Sequence, residues 1–370
     1  MSKIFELYGY RLDCWNESAE NNLKRVWCPF MGDECDGGGN RYLSAIDVKS
    51  NAKLSAKIKG KDIIQTGVCS LQIHENEQPW IVCPRRLLSL KNSNLSEYQL
   101  HIRRKLSEYS ELDKTKTYKA WSEVKIKMEV SNDDDEMKSF DYTFDYVISA
   151  IERKKIVDIA ALLSFSPEIV KKIAEKNGYT VAYRNAEYWI DDFPTDPLII
   201  IEVMTSSTSG GDKKKRTQIA MACEDAILNG MEHNAPGINY RQVWARMVSQ
   251  LIVKSQVALA WNGKTIWLVQ DVLADYISKS TALVLPEYLS EKLGEVNILA
   301  ASYGDAINGK TAGVIELKET QLYSGPVSSS GDGEITKGFI DIVKVGVVPP
   351  KTCLGKALLH KKPLGNWKFE

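Results

Sequence analysis

The chain has 370 residues, 44% of them hydrophobic and 26% charged, with 48 basic against 48 acidic side chains and a formal net charge of zero. That length allows two or three packed units, and the composition is that of an ordinary globular protein. A neutral total excludes an unspecific polyelectrolyte binder but permits a local basic cleft, because local field steers a ligand. No apolar run reaches the roughly 20 residues of a membrane helix, and Met1-Ser2-Lys3-Ile4-Phe5-Glu6 carries no signal-peptide core. The expectation is a cytoplasmic protein without a membrane partner, its thiols reduced, where clustered cysteines bind metal more often than they pair.

Residues 1–95 read as a loop-rich module. Five of the seven cysteines lie here, and four have short contexts suited to ligation: Cys28 in Trp27-Cys28-Pro29-Phe30, Cys35, Cys69 in Gly67-Val68-Cys69-Ser70, and Cys83 in Val82-Cys83-Pro84. Four soft thiolates close a tetrahedral shell around one zinc or iron ion. The same residues also suit buried free thiols acting as small hydrophobes. Cys14 is near enough to substitute as a ligand, whereas Cys223 and Cys353 read as structural. Lys49, Lys53, Lys57, Lys59 and Lys61 form a basic stretch that either faces solvent or meets phosphates. The module is polar enough that a metal staple is expected to help it fold.

Residues 96–280 read as the main unit. Apolar spacing over 98–106 predicts an amphipathic helix. Val124–Val130 and Phe140–Val147 alternate apolar and polar residues around the acidic turn 132–136, which predicts a hairpin. An insert at 154–180 carries one helix from Ile156 to Leu163 and a second from Pro167 to Lys176, with Ser166 as N-cap and Asn177-Gly178 as the stop. This is either a helix-turn-helix or a plain helical hairpin. Leu198–Met204 is a continuous apolar run broken by Glu202, as in a central buried strand. A helix capped by Asp212 is expected from Lys213 to Leu228. A second is expected from Tyr240 to Lys254, then a strand over 256–261, a turn at Asn262-Gly263 and a strand over 265–269. Residues 281–370 read as a strand-rich C-terminal extension with a basic tail. The fold class is α/β (α+β), a mixed central sheet flanked by helices beside the small N-terminal module.

A glutamate in a buried strand is costly unless it holds a cation or a hydrogen-bond network. Asp145 or Asp141 lies on the strand before Glu202, and a basic run follows it. Two carboxylates with a Lys or Gln make the site of metal-assisted phosphodiester hydrolysis, with Mg²⁺ as the fitting ion. The bland alternative is an ion pair at a strand end.

In order along the chain stand Leu7-Tyr8-Gly9-Tyr10-Arg11, Cys28-Pro29-Phe30, Gly67-Val68-Cys69, Trp80-Ile81-Val82-Cys83-Pro84, Phe144-Asp145-Tyr146, Ile201-Glu202-Val203-Met204-Thr205, Glu224–Gly230 and the segment 240–270. With these pieces the chain resembles the NotI family of type II restriction endonucleases over roughly residues 7–90 and 140–275. The resemblance implies a PD-(D/E)xK nuclease core that cuts palindromic double-stranded DNA as a homodimer with Mg²⁺, leaving 5′-phosphates and 3′-hydroxyls. It also implies a cognate DNA methyltransferase. By resemblance Cys28, Cys35, Cys69 and Cys83 hold one structural iron, zinc being the alternative, and Asp145 and Glu202 are the Mg²⁺ carboxylates.

Two features depart from that family. Met204 occupies the position of its Lys or Gln and can neither donate a hydrogen bond nor carry charge. Lys214 is therefore expected to supply the catalytic cation, with Lys213, Lys215 and Gln218 as alternatives. The separation from Asp145 to Glu202 is also long, which the insert accounts for and which keeps Asp141 and Asp196 as alternative metal carboxylates. Met204 equally suits a catalytically inactive, metal-stapled, sequence-specific DNA-binding protein. A thiolate-iron redox protein lacks any sign of a second cofactor.

Overall fold

The computed structural model describes residues 2–39, 45–90, 97–131, 137–309, 311–328 and 338–343. Its N-terminal segment begins with β1 (Lys3–Leu7) and β2 (Tyr10–Arg11), joined through Tyr8 and Gly9 at positive φ. Glycine is required here, since a Cβ on Gly9 would lie 2.3 Å from Pro29 Cγ. Helix α1 (Glu17–Arg25) starts where the Asn16 side chain accepts the Ala19 N–H. The hairpin β3 (Trp27–Cys28) and β4 (Asp33–Glu34) follows, then β5 (Ala45–Asp47), α2 (Ala52–Lys57) and β6 (Ile63–Gln65), which pairs with β5. Next, β7 (Val68–Gln72) pairs with β1 and with β8 (Trp80–Ile81), and α3 (Pro84–Leu87) closes the segment. This segment has more of an apolar core than its composition suggests. Leu7, Leu23, Leu54 and Leu71 are fully or almost fully buried in one core with Ala222 and Cys223 from a later helix.

After α4 (Glu97–Tyr109), the alternating runs form the expected hairpin of β9 (Tyr118–Ser131) and β10 (Met137–Lys155), with Met128 opposite Phe140. The acidic turn 132–136 lies outside the described residues. The insert holds α5 (Ile156–Leu163) and α6 (Pro167–Lys176) with the expected caps, the Ser166 side chain accepting the Ile169 N–H. Strand β11 (Val181–Arg184) then turns into β12 (Glu187–Met204), whose second half is the predicted buried strand. Two expectations change after it. The next helix, α7 (Ile219–Asn229), starts at Ile219 rather than Lys213, because Asp212 Oδ1 accepts the Lys214 and Lys215 N–H groups in a separate turn. Helix α8 (Tyr240–Ala260) absorbs the strand expected at 256–261. There, Ala258 packs under Phe144 and Ile200, and Asn262-Gly263 ends the helix, with Gly263 N–H donating to the Ala258 carbonyl. Burial of one helical face has decided between helix and strand for this short apolar run.

Strand β13 (Lys264–Gln270), α9 (Asp271–Ser280), β14 (Val296–Ser302) and β15 (Lys318–Gly325) complete the chain order. The seven-stranded sheet runs β15-β14-β13-β12-β10-β9, with β11 on β12. It is mixed: β12, β13 and β14 are parallel neighbours and the rest antiparallel. Of the segment 281–370, β14 and β15 lie in this same sheet, whereas the basic tail and Cys353 fall outside the described residues. One sheet face (Tyr146, Ile199, Ile201, Val203) shares a core with Phe5, Phe30, Cys28 and Cys69 of the cysteine-bearing segment. The other packs under α8 and α9. Among the described residues no helix is long and apolar enough to cross a membrane.

Candidate active site and the cysteine cluster

Where β10 meets β12, the antiparallel ladder reaches Tyr146 opposite Ile201. At the next position the Asp145 side chain replaces a strand partner, its Oδ2 accepting the Val203 N–H at 2.8 Å. Glu202 lies beside it on the face turned to α8, only 2% exposed. Burial, followed by the nearby negative charge of Asp145, pushes the Glu202 carboxyl up to about 8, against the pull of Lys254. Folding thus brings together the two carboxylates that the sequence singled out.

The cation at this pair is Lys254. Its Nζ donates to Glu202 Oε2 at 2.5 Å and to the Thr143 carbonyl at 2.7 Å, with both side chains of the pair 3% exposed. The reason lies in α8, where Val243, Met247, Leu251 and Ala258 form a buried stripe at helical spacing and Lys254 occupies a place in it. A lysine at a core position of an apolar stripe is the signal that the sequence carries, at the last position of the expected helix. Glu202 Oε1, by contrast, is buried with no hydrogen-bond partner among the described residues. An orphaned carboxylate oxygen next to a second carboxylate fits a divalent cation.

Lys213, Lys214 and Lys215 sit exposed in the 212–216 turn, and Gln218 precedes α7 without a side-chain capping bond; none of them hydrogen-bonds Glu202 among the described residues. The expected role of Lys214 is therefore corrected, because a turn intervenes where a helix against the strand had been expected. Asp141 is exposed and paired with Lys125 at 3.6 Å, four residues towards the hairpin tip. Asp196 is exposed six residues back along β12, roughly 20 Å of strand from Glu202.

A cavity of about 170 Å³ opens at Asp145, on the side of the cysteine-bearing segment rather than of Lys254. Gly38, Gly39, Arg85, Glu123, Asp145 and Tyr146 are among its walls. Glu123 holds a left-handed backbone, φ 54°, between the β9 residues that pair with Phe144 and Tyr146. Such a kink in a strand re-aims a side chain. Neither Arg85 nor Glu123 had a motif to mark it in the sequence.

Cys28, Cys69 and Cys83 are buried and Cys35 is half-buried. Burial pushes the Cys28 thiol up to about 12 and the Cys83 thiol to about 11, and raises Cys35 and Cys69 strongly, with the charge of the other cysteines adding to each of Cys28, Cys35 and Cys69. The four are thus gathered within electrostatic reach. Backbone N–H groups of Phe30 and Met31 favour the Cys28 thiolate, that of Gly37 the Cys35 thiolate, and those of Arg85 and Arg86 the Cys83 thiolate. Donors aimed at sulfur suit ligating thiolates and do little for neutral thiols. As they stand, however, no group of three or more His, Cys, Asp or Glu among the described residues is set so that it could hold a metal ion. The donor chemistry fits a thiolate-bound ion, and the shell is not closed.

The chain matches no family model, no curated protein and no solved structure.

Proposed function

We propose that the protein is a type II restriction endonuclease resembling the NotI family, with β10, β12 and their flanking helices acting as a PD-(D/E)xK nuclease core. The observation that supports this most is the buried contact of Lys254 with Glu202 beside Asp145. It supplies, from another helix, the cation that Met204 cannot provide. Asp145 and Glu202 would hold Mg²⁺, which polarises a phosphate and makes an attacking water more acidic. Lys254 would keep Glu202 oriented and offset the charge gathered at the carboxylate pair. Water attacks phosphorus, the bond to the 3′ oxygen breaks and that oxygen gains a proton, leaving a 5′-phosphate and a 3′-hydroxyl.

Cys28, Cys35, Cys69 and Cys83 would hold a structural iron, with zinc as the alternative, and tie the N-terminal segment to the sheet. Double-stranded DNA is the substrate. A homodimer matches the two-fold symmetry of a palindromic site, phosphate contacts position it, and base contacts specify the site. A methyltransferase acting on the same site would protect the host. The second reading, an inactive DNA-binding protein, is favoured by Met204 alone. Glu202→Ala tests the assignment: cutting should disappear while sequence-specific binding persists. Normal cutting by that variant would remove Glu202 from the site.

A further inference from the structure

The cavity at Asp145 has one cationic wall, and it comes from the cysteine-bearing segment. The Arg85 side chain is only 6% exposed, yet it lines the cavity. Its Nε donates to Asp36 Oδ2 at 3.1 Å, its Nη2 lies 3.1 Å from the same oxygen, and its Nη1 donates to the Tyr146 hydroxyl at 3.2 Å. Asp36 is fixed in turn, its Oδ1 accepting the Gly38 and Gly39 N–H groups, both at 3.0 Å. Gly39, at φ 78°, lets the loop pass so close that a Cβ there would stand 3.0 Å from Arg85 Nη2. Two segments far from Arg85 in sequence, the 36–39 loop and Tyr146 of β10, therefore hold its guanidinium at the wall of a cavity whose other charged members are the Asp145 and Glu123 carboxylates.

The charges say what fits. Asp36 offsets Arg85, and Asp145 with Glu123 leaves the metal-free cavity anionic, so a phosphate is repelled until a divalent cation arrives. With the cation present, a fixed, planar donor such as arginine suits a phosphate oxygen. A volume of about 170 Å³ holds several waters, and so a phosphate group. We infer that Arg85 contacts a non-bridging oxygen of the scissile phosphodiester, so that the cysteine-bearing segment forms a wall of the active site. The inference rests on the nuclease reading above.

The test is single-turnover cleavage, with enzyme in excess, of a duplex carrying the site mapped from wild-type fragment ends. Arg85→Ala should cut roughly 100- to 1,000-fold more slowly, the usual loss of one preorganised donor. Arg85→Lys, which keeps the charge and a partner for Asp36, should be roughly tenfold slower. A second readout uses binding in Ca²⁺ to the same duplex with a methylphosphonate at the scissile position. Loss of the anionic oxygen should weaken wild-type binding clearly more than Arg85→Ala binding, whose remaining penalty is that of the cation alone. Wild-type rates in both variants, or an equal methylphosphonate penalty in wild type and Arg85→Ala, would overturn the inference while leaving the nuclease reading intact. If Arg85→Ala does not fold, the Arg85→Lys rate and its methylphosphonate penalty decide. Failure of the wild-type protein to cut any unmethylated phage DNA would overturn both.

Discussion

Replacing Lys254 by Met removes the charge and keeps the length of the side chain. Breaking a buried ion pair usually costs about 3–5 kcal/mol, because the surviving charge is stranded. Here the survivor is Glu202, whose carboxyl lies at about 8. At pH 7 without metal most Glu202 side chains hold a proton. Lys254→Met therefore strands little charge; the loss is that of hydrogen bonds to Glu202 and the Thr143 carbonyl, about 1–3 kcal/mol. Removing a costly buried ammonium offsets some of it. Under the proposed function catalysis is affected differently, since Lys254 then holds an ionised, metal-bound Glu202 in place. A loss of roughly 100- to 1,000-fold, about 3–4 kcal/mol, is expected. The paired assay is thermal unfolding in EDTA at pH 7 and single-turnover cleavage in Mg²⁺. A modest drop in Tm with a large drop in rate is the expected pattern. A rate within threefold of wild type would refute the assignment of Lys254.

The raised Glu202 carboxyl also predicts a pH dependence. From about 4.5, its ordinary value, to about 8 the folded protein keeps a proton that the unfolded chain releases. In EDTA this group therefore makes stability fall as pH rises through that window, by up to about 1.4 kcal/mol per unit. Glu202→Gln should flatten the slope, and an unchanged slope in unfolding experiments would contradict the burial of an ionisable Glu202. Cys69→Ser should lower the iron or zinc content of purified protein and its folding yield; unchanged metal content by mass spectrometry would remove the four-cysteine assignment. Arg86 and Glu6 are 0% exposed and joined at 3.0 Å. Arg86→Met should destabilise by about 3–5 kcal/mol in urea titrations, since it strands the Glu6 carboxylate. A loss below about 1 kcal/mol would show that Glu6 finds another partner.

Local signals served well where one force dominated. Alternation in Val124–Val130 and Phe140–Val147 specified the β9–β10 pair, and the Ser166-Pro167 start with the Asn177-Gly178 end bounded α6. The apolar run around Glu202 marked the central strand and, through the cost of a buried carboxylate, the candidate site. What failed depended on partners distant in sequence. Val257, Ala258 and Leu259 can serve strand or helix, and the pocket under Phe144 and Ile200 settled it as helix. Lys254, the last residue of the expected helix, takes a buried position facing Glu202, from 52 residues away. Arg85 and Asp36 are joined across 49 residues by a contact that no periodicity encodes. The cysteines were conspicuous by type, but only folding shows that they reach within electrostatic range of one another.

Incubating purified protein with unmethylated phage-sized DNA, in Mg²⁺ and in EDTA, decides whether the Asp145–Glu202–Lys254 site is a nuclease. Discrete fragments are expected in Mg²⁺, bearing 5′-phosphates and a common terminal sequence, and intact DNA in EDTA. DNA that stays intact in Mg²⁺ but is shifted on a low-salt gel would contradict the nuclease reading and favour an inactive DNA-binding protein.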